Sequence, residues 1–295
     1  MTVTIRQIGP CFAGEVDGID MRLPLTPEEV TAIHAGMDTY AILVLHNQDI
    51  DDEQQLAFTR SLGEIELGIH TALRAANEYR LPTTFADVSN LDQHNRVMAL
   101  DDRRRLFNLG DRLWHSDSSF KAIPAKYSLL HARKIPSKGG NTAFADMRAA
   151  YDALDDETKE LCETLICEHS HIYSRQQLGF FDFTEEERER AKPVRQVLVR
   201  THPATGRKSL FLASHAGAIV GWLVPEARAF LRDLIEHATQ RQFVYAHEWS
   251  VGDLVIWDNR QTMHRGRPFP AHEARDVRRT TLVGDGPTVA QAEAA

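Results

Sequence analysis

The 295-residue sequence contains few cysteines and no long apolar run. Three cysteines, Cys11, Cys162 and Cys167, are an odd number without the spacing of a metal site, which argues against a disulfide framework. We therefore expect them to be buried as small apolar side chains. The longest apolar run, YAILVL at 40–45, has the length of a buried strand and falls well short of the roughly 18 residues that suggest a membrane span.

Positive charge is also in short supply. The chain has 42 acidic and 34 basic residues, a formal net charge of −8. Nucleic-acid phosphates require a positive surface, so we expect no nucleic-acid partner. A small anionic ligand needs only one or two local arginines and stays compatible with this balance. The first residues lack the charged start and apolar stretch of a signal peptide, and this predicts a cytoplasmic protein without a membrane anchor.

Local signals predict two helices near the start of the chain. Thr26-Pro27-Glu28-Glu29 is typical of a helix start, and this helix is expected to end near Tyr40. A second helix is predicted to begin at Asp51 or Asp52 and to end at Gly63. The segment 64–112 is rich in charged and polar residues and has a weak pattern, so we interpret it as a long, partly mobile excursion.

Short strands dominate from Tyr127 onward. The predicted strands are YSLLHARKI, NTAFAD, VRQVLVRT, SLFLA, FVYAHEW, DLVIWDN and RRTTLVG. Helices are predicted between them near 146–153, 156–167, 184–191 and 225–237. No repeat or composition break separates a second domain. The sequence therefore predicts one α+β, mainly β domain over 1–295, a double-sheet barrel or jelly roll flanked by helices.

The stretch WHSDSSF places a histidine and an aspartate two residues apart. On a strand, His115 and Asp117 would share one face, but a single pair of this kind also describes a hydrogen-bonded pair on a polar surface. His264 is the best candidate for a third ligand, because it follows an apolar strand and a polar turn in VGDLVIWDNRQTMHRGRPF. Two neutral imidazoles and one carboxylate suit Fe(II), whereas zinc more often takes three histidines or cysteines.

Three linked motifs carry a family resemblance. WHSDSSF, GGNTAFADMRAAYDAL at 139–154 and WDNRQTMHRGR, with ARDVRRTT behind the last, resemble the taurine dioxygenase family of Fe(II)/2-oxoglutarate-dependent oxygenases. The resemblance is strongest to the branch whose members oxidise aryloxyacetates such as 2,4-dichlorophenoxyacetate, and it covers essentially the whole chain. It implies a double-stranded β-helix (jelly-roll) core and an enzyme that uses Fe(II), 2-oxoglutarate and O2.

The resemblance also implies roles for individual residues. These are iron ligands His115, Asp117 and His264; 2-oxoglutarate contacts Thr142 and Arg275; and substrate contacts Arg279, His202, His215 and His70. Arg279 would receive the acid group of the substrate. His202 and His215 have structural roles as an open alternative, and His70 falls in the excursion where relatives contribute a lid.

Neighbouring residues are given simpler roles. We expect Arg278 to be a solvated edge, the charged run 101–105 to be a solvated loop whose charges pair locally, and Trp114 and Trp257 to pack beside the ligands. The turn residues Asp258 and Asn259 are expected to position His264, with a hydrogen bond behind the metal ligands as one means.

The implied reaction is hydroxylation of the carbon beside the ether oxygen of an aryloxyacetate, giving a phenol, glyoxylate, succinate and CO2. The same chemistry on taurine or other alkylsulfonates, or on a plant-derived aromatic acid, remains an alternative. A metal- or ligand-binding member without catalysis is the alternative outside the enzymes. The expected partner is a small carboxylic acid, and the oligomers formed by relatives imply a homo-oligomer.

Overall fold

The computed structural model describes residues 3–67 and 79–289. The helices of these two ranges are α1 (Pro27–Tyr40), α2 (Asp52–Leu62), α3 (Arg103–Asn108), α4 (Met147–Asp152), α5 (Asp156–Thr164), α6 (His171–Gln176), α7 (Glu185–Arg190) and α8 (Val224–Ala238). Two 3-10 turns occupy Leu109–Arg112 and Arg241–Phe243. Among the described residues, no helix combines the length and apolar character needed to cross a membrane.

Strands make up the centre of the molecule. They are β1 (Thr4–Gln7), β2 (Gly14–Asp17), β3 (Ile42–Leu45), β4 (Ala86–Asp87), β5 (Tyr127–Lys134), β6 (Thr142–Asp146), β7 (Ile166–His169), β8 (Val194–Val197), β9 (Val199–Thr201), β10 (Lys208–Leu210), β11 (Ala216–Ile219), β12 (Val244–His247), β13 (Leu254–Asp258), β14 (Thr262–Gly266) and β15 (Asp276–Thr281). A seven-stranded sheet has the order β1-β2-β3-β13-β5-β15-β4, and a three-stranded sheet has the order β12-β6-β14. Smaller sheets are β11-β7-β8 and β10-β9.

The first two helices begin where the sequence predicts. Thr26 caps α1 and Asp51 caps α2, each in a capping box with the residue three positions later. A capping box satisfies backbone N–H groups that have no partner inside the helix, which fixes the start of each helix. The predicted ends at Tyr40 and Gly63 are confirmed as well.

The strand β3 is buried on both faces. Leu43 and Leu45 pack into one apolar cluster with side chains of α1 and α2, whereas Ile42 and Val44 pack into another with Phe144 of β6. Because consecutive strand residues point to opposite faces, the large sheet has helices on its outer face and the three-stranded sheet on its inner face.

A third apolar cluster covers the outer face of the β12-β6-β14 sheet. Leu231 and Leu234 of α8 pack with Ala145 of β6 and Met263 of β14. The two main sheets are thus stacked between layers of helices, in the arrangement predicted from the many short strands.

Several predicted boundaries were wrong. The helix predicted over 156–167 ends at Thr164, and the chain continues as β7. VRQVLVRT forms two short strands rather than one. Neither α6 nor β11 was predicted, because their polar or glycine-containing sequences give no clear period. WHSDSSF is not a strand, since only His115 forms a bridge and a turn follows at Asp117.

Two further expectations need correction. Cys162 and Cys167 are buried as expected, but Cys11 is exposed. The described part of the 64–112 segment is more ordered than predicted: it contains β4, α3 and a 3-10 turn. The run 101–105 is not a solvated loop, because its arginines lie in α3 and Arg103 pairs with the distant Asp182 and Glu187. The expected local pairing is present between Arg104 and Asp102 at 2.7 Å.

Replacing Leu43 by alanine tests the packing of α1 against the large sheet. Leu43 is 0% exposed, and truncation leaves a cavity, so we expect a loss of about 2–5 kcal/mol in the free energy of unfolding. Urea denaturation followed by tryptophan fluorescence measures it. Leu23→Ala is the matched control, because Leu23 is 63% exposed and should change the value by less than about 0.5 kcal/mol. Equal losses in the two variants would contradict this packing.

Candidate metal centre and its two cavities

His115 and His264 are brought together by their backbones. The N–H of His115 donates to the carbonyl of His264 at 3.0 Å, and the N–H of His264 donates to the carbonyl of His115 at 2.8 Å. His264 lies in the middle of β14, opposite Phe144 of β6. The two imidazole rings lie 4.2 Å apart between centroids. A single antiparallel bridge therefore fixes two of the three predicted ligands.

Asp117 reaches the same point by a turn. Ser118, which follows it, has a φ of 54°, a left-handed conformation that takes the chain out of the bridge. One carboxylate oxygen of Asp117, Oδ1, lies 3.7 Å from Nε2 of His115, and Oδ2 lies 3.9 Å from Nε2 of His264. The three ligand atoms lie within 4.8 Å of one another. In the described ranges, no other group of histidine, cysteine and acidic residues has metal-site geometry.

The protonation states suit a cation. Burial alone would raise the pKa of Asp117, but the positive charge of Arg279 and the hydrogen bond from Ser128 help to lower this pKa to about 2. Burial, with the nearby His115, lowers the pKa of His264 well below its usual value. A carboxylate and a neutral imidazole are the forms that bind metals.

His115 has a free ligand atom. Its Nδ1 lies 2.8 Å from the carbonyl oxygen of Leu113, to which it can only donate, so Nε2 keeps its lone pair and points towards Asp117. The set of two imidazole nitrogens and one carboxylate fits Fe(II).

Asn259 holds Asp117 in place. Its side-chain carbonyl accepts hydrogen bonds from the backbone N–H of Asp117 and from the indole N–H of Trp257, both at 3.0 Å. Its amide donates to Oγ of Ser128 at 3.0 Å, and that hydroxyl donates to Oδ2 of Asp117 at 2.7 Å. The sequence predicted that Asn259 positions His264, but the structure shows that it positions Asp117. No pattern in the sequence predicted a role for Ser128.

One cavity beside the ligands contains a buried arginine. We call it the Arg275 cavity; it is lined in part by Gly140, Thr142, Trp257, His264, Arg275 and Arg279. Arg275 is 7% exposed, and its Nη1 donates to the carbonyl of Val88 at 3.1 Å. Burial lowers its pKa to about 10, so the guanidinium stays charged at neutral pH. Within the described ranges, no carboxylate forms an ion pair with Arg275, which leaves it able to bind an anion from outside.

Thr142 and Gly140 shape the floor of this cavity. The hydroxyl oxygen of Thr142 accepts a hydrogen bond from the indole N–H of Trp249 at 3.0 Å, so its own hydrogen is available to donate. Gly140 has a φ of 73°, a conformation that favours glycine, and a Cβ there would lie 3.6 Å from Nε of Arg275. The predicted pair of Thr142 and Arg275 thus faces one space.

A second cavity, the aromatic cavity, opens on the other side of the ligands. Its apolar lining includes Phe85, Phe107 and Phe120, with His171 and His215 beside them, and it reaches His115, Asp117 and Arg279. Arg279 lines both cavities. Its Nη1 donates to Oδ1 of Asp117 at 2.5 Å, while its Nε is buried without a hydrogen-bond partner.

The remaining predicted substrate contacts have different outcomes. His215 is 2% exposed and lines the aromatic cavity, where its ring lies 6.0 Å from that of His115. Its Nδ1 is 2.9 Å from the hydroxyl of Ser119. His70 lies outside the described residues. His202 lies away from both cavities: its ring is buried against Asp258, with Nε2 at 3.2 Å from the carboxylate, which favours the structural role that the sequence left open.

Arg278 was also misjudged. It is not a solvated edge, because its guanidinium pairs with Asp52 at 2.5 Å and with Asp276 at 3.0 Å. The pair with Asp52 joins the start of α2 to β15. Trp257, expected to pack beside the ligands, lies 4.6 Å from the ring of His264.

Comparison with known proteins gives a consistent answer. The family model described as "Taurine catabolism dioxygenase TauD, TfdA family" matches residues 4–281. The sequence is 42% identical to the alpha-ketoglutarate-dependent 2,4-dichlorophenoxyacetate dioxygenase of Cupriavidus pinatubonensis, over 97% of this chain and 99% of the relative. Identity to the enzyme of the same name from Burkholderia sp. (strain RASC) is 41%, over 96% of this chain and 95% of the relative.

A solved structure shows the same fold. The crystal structure of AAD-2 in complex with Mn(II) and N-oxalylglycine superposes with a TM-score of 0.95 at 56% identity, covering 98% of this chain and 100% of that chain. The predicted jelly-roll core with flanking helices is therefore confirmed.

Replacing Asn259 by alanine tests the support of the metal ligands. The change removes the acceptor for the backbone of Asp117 and the donor to Ser128, so we expect the affinity for Mn(II) or Fe(II) to fall by about 10–100-fold. Isothermal titration under anaerobic conditions measures the dissociation constant. Asn141→Ala is the control, because the amide of Asn141 points to Glu248 and contacts none of the three ligands. An unchanged affinity in Asn259→Ala would show that Asp117 needs no such support.

Proposed function

Because the chain belongs to the TauD, TfdA family of dioxygenases, we propose that it is an Fe(II)- and 2-oxoglutarate-dependent dioxygenase acting on an aryloxyacetate such as 2,4-dichlorophenoxyacetate. Hydroxylation of the carbon between the carboxylate and the ether oxygen gives a hemiacetal, which collapses to a phenol and glyoxylate. The cosubstrate ends as succinate and CO2. The observation that carries the proposal is a buried His-Asp-His cluster placed between a cavity with an uncompensated arginine and a cavity with aromatic walls.

His115, Asp117 and His264 would hold the metal from one side. Such a set of two histidines and one carboxylate leaves the other coordination positions open. Fe(II), when bound, supplies the O2 chemistry that oxidises both 2-oxoglutarate and the substrate. The contribution of the protein is to keep Asp117 charged and the imidazole of His264 neutral, as the pKa shifts of these two residues favour.

Arg275 and Thr142 would bind 2-oxoglutarate. The cosubstrate has a carboxylate at each end, and the end remote from the metal would be buried in the Arg275 cavity. A buried carboxylate is unfavourable unless it is paired, and the fork of a guanidinium can donate two hydrogen bonds to it. The hydroxyl of Thr142 adds a third donor from the floor of the cavity.

Arg279 would anchor the acid group of the substrate. Its Nε lacks a partner although it is buried, and the residue stands where the two cavities meet. A carboxylate bound there lies beside the metal ligands, with its ring directed into the aromatic cavity. Holding the reacting carbon in this orientation can lower the barrier by several kcal/mol. His215, on the wall of that cavity, is placed to contact the ether oxygen or the carboxylate.

Three properties beyond the reaction remain predictions from the sequence. They are a single domain over 1–295, a cytoplasmic location, and a homo-oligomer without a nucleic-acid partner. The net charge of −8 supports the absence of a nucleic-acid partner.

Product analysis tests the proposed reaction. The protein is reconstituted anaerobically with Fe(II) and 2-oxoglutarate, mixed with 2,4-dichlorophenoxyacetate and exposed to air. We expect equal amounts of succinate and 2,4-dichlorophenol, because each turnover oxidises one molecule of each substrate. Taurine is run in parallel, and little sulfite is expected because the aromatic cavity suits a ring. Succinate with sulfite but no phenol would replace the proposed substrate class, and no succinate with any acid would reject the activity.

Arg275 and Arg279 provide a paired test of the two anion sites. We expect Arg275→Gln to raise the KM for 2-oxoglutarate by about 10–100-fold, since a charged hydrogen-bonded pair is lost, and to leave the substrate KM nearly unchanged. Arg279→Gln should do the reverse. Each variant is the control for the other. Because Arg279 contacts Asp117, Mn(II) affinity is measured in both, and a KM change that merely follows metal loss would contradict the anchoring role.

A further inference from the structure

Arg175 is a buried cation that the proposed reaction does not use. It lies in α6, is 6% exposed and lines the aromatic cavity. Its Nη1 donates to Oγ of the neighbouring Ser174 at 3.0 Å, and its Nε has no hydrogen-bond partner. The ion-pair partner found for it in the described ranges is Asp111 at 3.7 Å, beyond hydrogen-bond distance. Burial lowers the pKa of Arg175, which is the sign of a charge that its surroundings stabilise poorly.

The position of the guanidinium is tightly fixed. Its Cζ lies 4.6 Å from the centre of the Phe107 ring, a cation–π distance. On another side it lies against the backbone of Gly110, where a Cβ would come within 2.1 Å of the guanidinium. Because Gly110 has no side chain, the guanidinium of Arg175 can lie against its backbone. The side chain is held rigidly with Nε unpaired, although an apolar residue would fill the same space without burying a charge.

A continuous wall of rings leads from the metal ligands to Arg175. The ring of His115 lies 6.0 Å from that of His215, which lies 5.7 Å from that of His171. His171 lies 5.1 Å from Phe107, the ring beneath the guanidinium. A substrate ring placed along this wall, with its acid at Arg279, would direct its far edge towards Arg175.

We propose that Arg175 is a specificity-determining residue that donates hydrogen bonds to an oxygen-bearing substituent on the far edge of the substrate ring. The inference rests on the proposed function and ranks its substrates: aryloxyacetates with an acceptor, such as a nitro or carboxylate group, opposite the ether oxygen bind more tightly than those with a chlorine or an alkyl group there. An apolar substituent leaves the guanidinium without an acceptor from the cavity, and an unpaired buried charge is unfavourable. A role restricted to clamping α6 against the 3-10 turn at Leu109–Arg112 is the competing explanation.

Binding without turnover separates the two explanations. The protein is loaded with Mn(II) and N-oxalylglycine, an unreactive analogue of 2-oxoglutarate, and titrated by calorimetry with phenoxyacetates that carry a 4-carboxy, 4-nitro or 4-isopropyl group. The three substituents are nearly equal in size, but only the first two accept hydrogen bonds. We expect the acceptors to bind at least about tenfold more tightly than the isopropyl compound.

Arg175→Met should reduce this preference to less than about threefold while leaving the isopropyl affinity nearly unchanged, because methionine keeps the bulk and loses the donors. Arg228→Met is the matched control: Arg228 also lies over a ring, 4.5 Å from Tyr173, but does not line the cavity, so the preference should persist. If Arg175→Met does not fold, Arg175→Lys is used, and it should keep part of the carboxylate preference and lose the nitro preference.

The outcomes distinguish this inference from the proposed function. If the wild-type protein binds all three compounds equally, or if Arg175→Met weakens all three by the same factor, Arg175 is only a clamp and the inference is wrong. If none of the three binds, the aryloxyacetate class itself is wrong. Selective binding combined with no succinate in the turnover assay would reject the activity and retain the role of Arg175.

Discussion

The two backbone hydrogen bonds between His115 and His264 are the contact on which the rest of the site depends. They join a segment outside the regular sheets to β14, and thereby bring together residues about 150 positions apart in the sequence. Because the two backbones pair, the side chains of His115 and His264 lie next to each other. The turn that follows His115 then brings Asp117 beside them. The two sheets and their helices supply a frame that keeps this one bridge in register.

The charged side chains around that bridge differ in whether they have a partner of opposite charge. The buried aspartate receives hydrogen bonds from Arg279 and Ser128, whereas within the described ranges Arg275 has no carboxylate in an ion pair and Arg175 has Asp111 at 3.7 Å, beyond hydrogen-bond distance. Burial of a guanidinium is unfavourable when nothing neutralises it, so the arginine in each cavity favours a ligand that places an anionic or acceptor group beside it. The net charge of the whole chain is negative, so it does not predict this local excess of positive charge.

Local signals made much of the fold predictable. Thr26 and Asp51 mark helix starts through their own hydrogen bonds, and the apolar runs that form β3, β5 and β13 need no partner to be recognised. Strand β14 and helix α6 were missed because their sequences, TMHRG and HIYSRQ, do not repeat apolar residues at the spacing of a strand or a helix. Their structure comes from contacts with distant segments, such as the pairing of β14 with β6. The predicted ligands were chosen from residue type and family resemblance, but the contacts of Ser128 and Asn259 with Asp117, and the position of His202 away from both cavities, depend on which face each side chain packs against.

The contacts of Asp117 have one more consequence. Its backbone N–H is bound by Asn259, one carboxylate oxygen by Ser128 and the other by Arg279, so the side chain has a single orientation set by three different elements. A flexible aspartate would lose rotational freedom when it captured a cation, and that entropy would weaken binding. Here the entropy is lost during folding, so the centre is preorganised and its affinity is tied to the stability of the sheets around it.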